Sequence, residues 1–103
     1  MSGLNGAPKR FRVDRASHIR DQIRRLFQEA GETDRAVEFA TAMKQILSIL
    51  RNEPREFGEP LWTYPHAHLE IRVGSRHPAW VRYAVHNEAL EVVILHVALM
   101  ATD

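Results

Sequence analysis

The sequence predicts an α+β domain of order β-α-α-β-β-β, a helical hairpin packed on a small antiparallel sheet. Two observations carry this. Apolar residues recur at helical three- and four-residue spacing from Ala16 to Leu50, and the period changes to two after Pro65. Gly and Pro residues fall between the periodic segments rather than inside them. A length of 103 residues suits one core of helices on a sheet and is too short for two.

The elements follow in order. Residues 1–8, with Gly3, Gly6 and Pro8, read as a flexible tail, and residues 9–103 as a single domain. Phe11 and Val13 alternate with Arg10 and Arg12, so a short strand from Lys9 to Val13 is expected to join the sheet. Ala16, Ile19, Ile23, Leu26, Phe27 and Ala30 share one face of a first helix, with Asp14 or Ser17 as the expected cap and Gly31 as its left-handed stop. Thr33 or Asp34 would cap a second helix, whose stripe is Ala36, Phe39, Ala40, Met43, Ile46, Leu47 and Leu50. Met43 reads as core filler. That helix should end near Asn52, because Pro54 disfavours helical geometry in the residue before it.

A segment with Pro54, Gly58, Pro60 and Pro65 then separates the helices from the strands. Ala67, Leu69, Ile71 and Val73 alternate with His66, His68, Glu70 and Arg72, the pattern of a half-buried strand with one solvated row. Past a turn at Gly74–Pro78, Val81, Tyr83 and Val85 alternate with Trp80, Arg82, Ala84 and His86. Leu90–Met100 is apolar on both faces, as expected of a strand covered on both sides or central in a sheet, and the three strands form a meander.

Composition narrows the function classes. An apolar fraction of 45% with 26% charged residues is that of a folded domain rather than a disordered chain. The absence of cysteine removes disulfides, thiolate ligands and thiol nucleophiles together, and fits a reducing compartment. No signal-peptide pattern opens the sequence and no apolar run approaches the roughly 20 residues that span a bilayer, so a cytoplasmic protein is expected. Net charge is +1, but Lys9, Arg10, Arg12, Arg15, Arg20, Arg24 and Arg25 make the first quarter basic. Arginine outnumbers lysine twelve to two, and its guanidinium forks onto phosphates or carboxylates as an ammonium cannot.

Two segments resemble a known family. "NEPREFGEPLW", residues 52–62, is similar to the Pro-x-x-x-Gly-x-x-Leu turn after the second helix of the RelE/ParE superfamily of toxin-antitoxin and plasmid-stabilisation proteins, carried here by Pro54, Gly58 and Leu61. "LEIRVGSRHPAWVRYAVHNEALEVVILHV", residues 69–97, resembles that family's Arg-Val-Gly turn, strand ending in Tyr, turn and apolar last strand. With the helical hairpin, the resemblance covers residues 9–99. It implies a bacterial toxin fold normally held by an antitoxin whose helix or strand lies across its surface.

The resemblance implies two activities. Ribosome-dependent endoribonucleases of the family cut messenger RNA with basic residues on the sheet plus an Arg and a Tyr or His near the C-terminus, whereas ParE-like members poison DNA gyrase by protein contact. Of the nuclease set, Arg72 is present, but Glu70 and Trp80 stand at two basic positions, and "HVALMATD" stands where the family places a Gly-x-Arg and a Tyr. A nuclease here would use Arg72, Arg76 and Arg82 for phosphate and His66, His68 or His86 as acid or base. The leading expectation is a protein-binding member without the usual nuclease site, with an antitoxin-like partner or a target such as gyrase. An endoribonuclease contacting RNA or the ribosome, or a non-toxic accessory domain of unknown partner, are the alternatives.

Individual residues weigh against more specialised chemistry. His66, His68 and Glu70 in one row could ligate a metal, but such a row is more often solvated, and neither metal nor cofactor is expected. His96, among apolar residues, reads as a hydrogen-bonded core histidine, and Tyr83 as packing. Trp62, Tyr64 and Trp80 close the core edge by default. Trp62 and Trp80, with Arg20 and Arg24, are the expected partner-binding residues if a contact surface exists. No Ser-His-Asp order, glycine-rich phosphate loop or usefully spaced carboxylate pair is present, which excludes ordinary hydrolase and nucleotide-binding readings.

Overall fold

The computed structural model describes residues 10–101, in which two helices lie on one face of a five-stranded mixed sheet. The elements are β1 (Arg12–Asp14), α1 (Ser17–Gly31), α2 (Ala36–Asn52), β2 (Glu59–Tyr64), a 3₁₀ turn (Pro65–Ala67), β3 (Leu69–Arg76), β4 (Ala79–His86) and β5 (Glu91–Leu99). Strand order is β1-β5-β4-β3-β2. The α+β class holds, but the sheet is mixed rather than wholly antiparallel. β1 runs parallel to β5, because the helical hairpin and three strands lie between them in the chain and no tight turn ties their directions. The tail and Lys9, the first residue of the expected strand, lie outside the described residues.

The core sits between the hairpin and the sheet. Phe39, Met43, Ile46 and Leu50 of α2 and Ile19 and Ala30 of α1 pack on Val81, Tyr83 and Val85 of β4 and Val92, Ile94 and Val97 of β5. The helical stripes are therefore as expected, apart from Ala16, which is exposed ahead of the helix, and Phe27, which remains 44% exposed. The caps differ. Ala16 and Arg35 occupy the N-cap positions and neither makes a side-chain cap bond. Gly31 ends α1 as its last helical residue, and the left-handed position falls on Asp34 (φ 58°), a residue type that tolerates it. Thr33 donates instead to the Ala30 carbonyl at 3.3 Å, and Arg35 ties the hairpin to the end of β5 through the Met100 carbonyl at 2.7 Å.

The polarity of β3 is inverted relative to its alternation. Residues paired across strands share a face, and Glu70, Arg72 and Gly74 pair with Val85, Tyr83 and Val81 of the core. Glu70 and Arg72 thus face the helical layer, while Leu69, Ile71 and Val73 face away. The cause is the loop at residues 54–58, which folds over β3. Phe57 lies flat on Gly74, where a Cβ would stand 2.6–2.9 Å from three ring carbons. The loop carbonyls it buries need donors, and Arg72 and Tyr83 supply them.

β2 has no counterpart in the sequence reading. Its six residues are all exposed, so no inside-outside alternation marks it, and Pro60 and Pro65 disguise it as a linker. The sheet edges differ in consequence. Where β1 stops, the Gln22 side chain of α1 accepts the Val97 backbone N–H at 3.0 Å and closes the β5 edge. Among the described residues nothing covers the outer edge of β2.

Candidate functional site

The three arginines expected to share a phosphate do not converge. Arg72 is 7% exposed, and its guanidinium is spent on the Phe57 carbonyl through Nε, the Gly58 carbonyl through Nη2 and Glu70 Oε1 through Nη1, each at 3.2 Å. Arg76 stands on the same face but further along, its guanidinium 5.5 Å above the Phe57 ring. It borders a groove of about 400 Å³ that opens along the β3 edge where β2 stops pairing. Glu59 lines that groove, and Glu53 and Glu56 line the one adjoining it, so the cleft carries no net cationic character. Arg82 alternates with Val81 and Tyr83 and points to the opposite side of the sheet.

The histidines are equally dispersed. His66 lies in the 3₁₀ turn and His68 caps it in a left-handed conformation, so the expected row of His66, His68 and Glu70 does not form. His68 Nε2 sits 3.6 Å from Glu88 Oε1, and His86 Nδ1 accepts the Ala89 backbone N–H within the β4–β5 turn. Among the described residues no three His, Cys, Asp or Glu side chains are grouped to hold a metal.

Tyr83 is fully buried at the foot of the 54–58 loop. Its hydroxyl lies 2.7 Å from both the Pro54 and Phe57 carbonyls, and its ring stacks on Phe57 at 6.1 Å. Burial raises the phenol's pKa above the usual 10. Arg72, Tyr83, Phe57 and Gly74 are therefore one structural assembly, which holds the loop against the sheet.

The face of the sheet away from the helices has a different character. Register places Trp62 and Tyr64 of β2, Leu69, Ile71, Val73 and Ser75 of β3, Trp80, Arg82, Ala84 and His86 of β4, and Val93, His96 and Ala98 of β5 on it, with Arg12, Asp14, Glu59 and Glu91 at its rim. Solvated sheet faces ordinarily carry polar residues. Here Trp62 and Tyr64 are about half exposed and contact each other edge to face at 6.3 Å, while Leu95 is 39% exposed at a β-bulge opposite Arg82. β5, which reads in sequence as covered on both sides or central in the sheet, is an inner strand between β1 and β4, covered by helices on one face. Trp62 and Tyr64 accordingly do not close the core, and Trp80 is half-buried on the open face. Arg20 and Arg24 lie on exposed positions of α1 in the other layer, Arg24 paired with Asp21 at 3.0 Å, so the expected partner-binding set divides between two surfaces.

One arrangement on this face is invisible in the sequence. His96 sits beside Arg82 across the β4–β5 ladder, and its ring meets Trp80 edge to face at 5.9 Å. Gln22 reaches it from α1. The Gln22 Oε1 is committed to the Val97 N–H, so its amide nitrogen is the atom facing His96 Nδ1, at 3.4 Å. An amide NH₂ only donates, which makes Nδ1 the acceptor and leaves the imidazole proton on Nε2. His96 is thus hydrogen-bonded as expected but half-buried on the open face, outside the core. No local pattern joins residues 22 and 96.

Compared with family models, curated protein sequences and solved structures, the chain has no match. The functional reading therefore rests on the geometry. At the rim, Arg12 pairs with Glu91 at 2.8 Å and holds that carboxyl below its usual pKa, chiefly through the hydrogen bond. No helix of the described residues is long and apolar enough to cross a membrane.

Proposed function

We propose that the protein acts by binding another protein through the open face of its sheet, as a divergent RelE/ParE-like toxin-family member without the usual nuclease site. The observation that carries this reading is the fate of the arginines beside the character of the face. Arg72 is consumed in holding a loop, Arg76 and Arg82 lie on opposite sides of the sheet, and the open face presents aromatic and apolar side chains with charged groups toward its rim. Phosphoryl chemistry needs several cations on one phosphate, whereas a protein contact needs an apolar centre with aromatic anchors. The element order and the residue 52–62 and 69–97 segments support the lineage. An antitoxin-like protein, or a target such as gyrase, is the partner class.

Inducible expression in a bacterial host, with growth and transcript ends followed together, tests the reading. The expected result is slowed growth with unchanged transcripts, relieved when the neighbouring reading frame is co-expressed and its product co-purifies at fixed stoichiometry. New transcript ends that vanish on Arg82→Ala would overturn it in favour of an endoribonuclease. Normal growth, with a lone monomer recovered alongside its co-expressed neighbours, would favour a non-toxic accessory domain.

A further inference from the structure

Arg82 stands out among the charged groups of the open face. It is half-buried, with Val73 opposite it on β3 and His96, next to the Leu95 bulge, opposite it on β5, and among the described residues it has no ion-pair partner. A partly desolvated guanidinium without a counter-charge is costly unless something supplies one. Beside it, His96 presents Nε2–H as a second donor, its tautomer set by Gln22 and its ring steadied by Trp80.

We propose that Arg82, His96 and Trp80 form an anchor for a single carboxylate, an aspartate or glutamate carried on an apolar segment of a partner protein laid across the open face. This rests on the protein-binding reading above and specifies its chemistry. The guanidinium takes the carboxylate through its forked N–H groups, His96 Nε2–H takes a remaining lone pair, and the Trp80 indole excludes water from one side of the pair. Around the anchor, the half-buried Val73, Val93 and Ala98 offer apolar contact, with the exposed Trp62 further out, while Ile71 and Ala84 are themselves buried. The surroundings argue against a polyanion. A nucleic-acid strand needs a run of cations, yet Arg72 faces the other layer, Arg12 is paired, and Asp14, Glu59 and Glu91 stand on the same side.

The test uses the full chain and a displayed library of random 16-residue peptides. Enriched peptides are synthesised and their affinities measured by fluorescence polarisation. The anchor requires that they share one Asp or Glu flanked by apolar residues. It also requires that Arg82→Ala, checked for unchanged thermal unfolding, weaken binding by at least about 30-fold, the lower range for removing one partner of a desolvated charge pair. A peptide with its acidic residue changed to Lys should regain binding to Arg82→Glu. Gln22→Ala should weaken binding more modestly and, in ¹⁵N NMR of the free protein, remove the Nε2–H preference of His96, a change that loss of packing alone would not produce.

Several results would overturn the anchor. Peptides lacking acidic residues, or bound equally by Arg82→Ala yet lost in Ala84→Arg, would remove it while leaving a protein-binding face. Arg82-dependent binding of a random single-stranded RNA with no peptide enrichment would replace it with a nucleic-acid site and would count against the protein-binding reading as well. Sedimentation showing a dimer that Ala84→Arg dissociates would assign the face to a second copy.

Discussion

If Arg72 holds the 54–58 loop rather than contacting a ligand, its removal should be felt in stability. Arg72→Met keeps much of the side-chain volume and deletes three hydrogen bonds, those to the Phe57 and Gly58 carbonyls and to Glu70. Hydrogen bonds to a charged group contribute roughly 1.5–3 kcal/mol each, but these are long at 3.2 Å, and the single Tyr83 hydroxyl proton, within reach of both the Phe57 and Pro54 carbonyls, can serve only one of them at a time. Glu70 loses its counter-charge while only 20% exposed, which leaves a carboxylate poorly solvated. Together these effects should cost about 2–4 kcal/mol, below the upper range for breaking a fully buried pair. For a chain of this size that corresponds to a fall in Tm of roughly 10–25 °C. Urea unfolding followed by circular dichroism measures it, and Glu70→Gln added to Arg72→Met should recover part of the loss, since the orphaned charge is then gone. A loss below about 0.5 kcal/mol, within the range of an ordinary surface substitution, would refute the assignment and return Arg72 to the list of functional groups.

Other outcomes follow from the same contacts. Tyr83→Phe leaves the Pro54 carbonyl without its donor and should cost about 1–3 kcal/mol by the same urea assay. Because burial raises the Tyr83 pKa, the unfolded chain ionises first; stability is complete below about pH 10 and falls as pH rises beyond it, and Tyr83→Phe should lessen that alkaline slope. Gly58→Ala should destabilise the fold by more than about 2 kcal/mol, because φ is +66° and a Cβ there would run into the Val73 carbonyl oxygen; thermal unfolding reads it. Glu91, whose pKa Arg12 lowers, contributes stability above its usual value near 4.5 and loses it as pH falls through the depressed value. Glu91→Gln should therefore flatten the acid limb of the stability profile.

Periodicity alone places both helices, the β3–β5 meander and the apolar stripes, because helix and strand geometry impose 3.6- and 2-residue repeats wherever one face is buried. Phe39, Met43, Ile46 and Leu50 are in the core as their spacing requires, and Pro54 marks the end of α2 within two residues. β2 is illegible for the complementary reason, since a strand exposed on all six residues imposes no pattern. The candidate site is less legible still. Arg82 and Trp80 can be named from the sequence, but their pairing with His96 and Gln22 depends on α1 lying along the β5 edge.

The sequence by itself determined the α+β class, the hairpin and the apolar character of both faces of β5. Tertiary structure alone decided which face of β3 is inside, because the carbonyls of Pro54, Phe57 and Gly58 demand donors only once the loop has folded over it. It also decided which arginines are free. A guanidinium reads the same in sequence whether it is locked to three acceptors, as Arg72 is, or has no ion-pair partner among the described residues, as Arg82 has not.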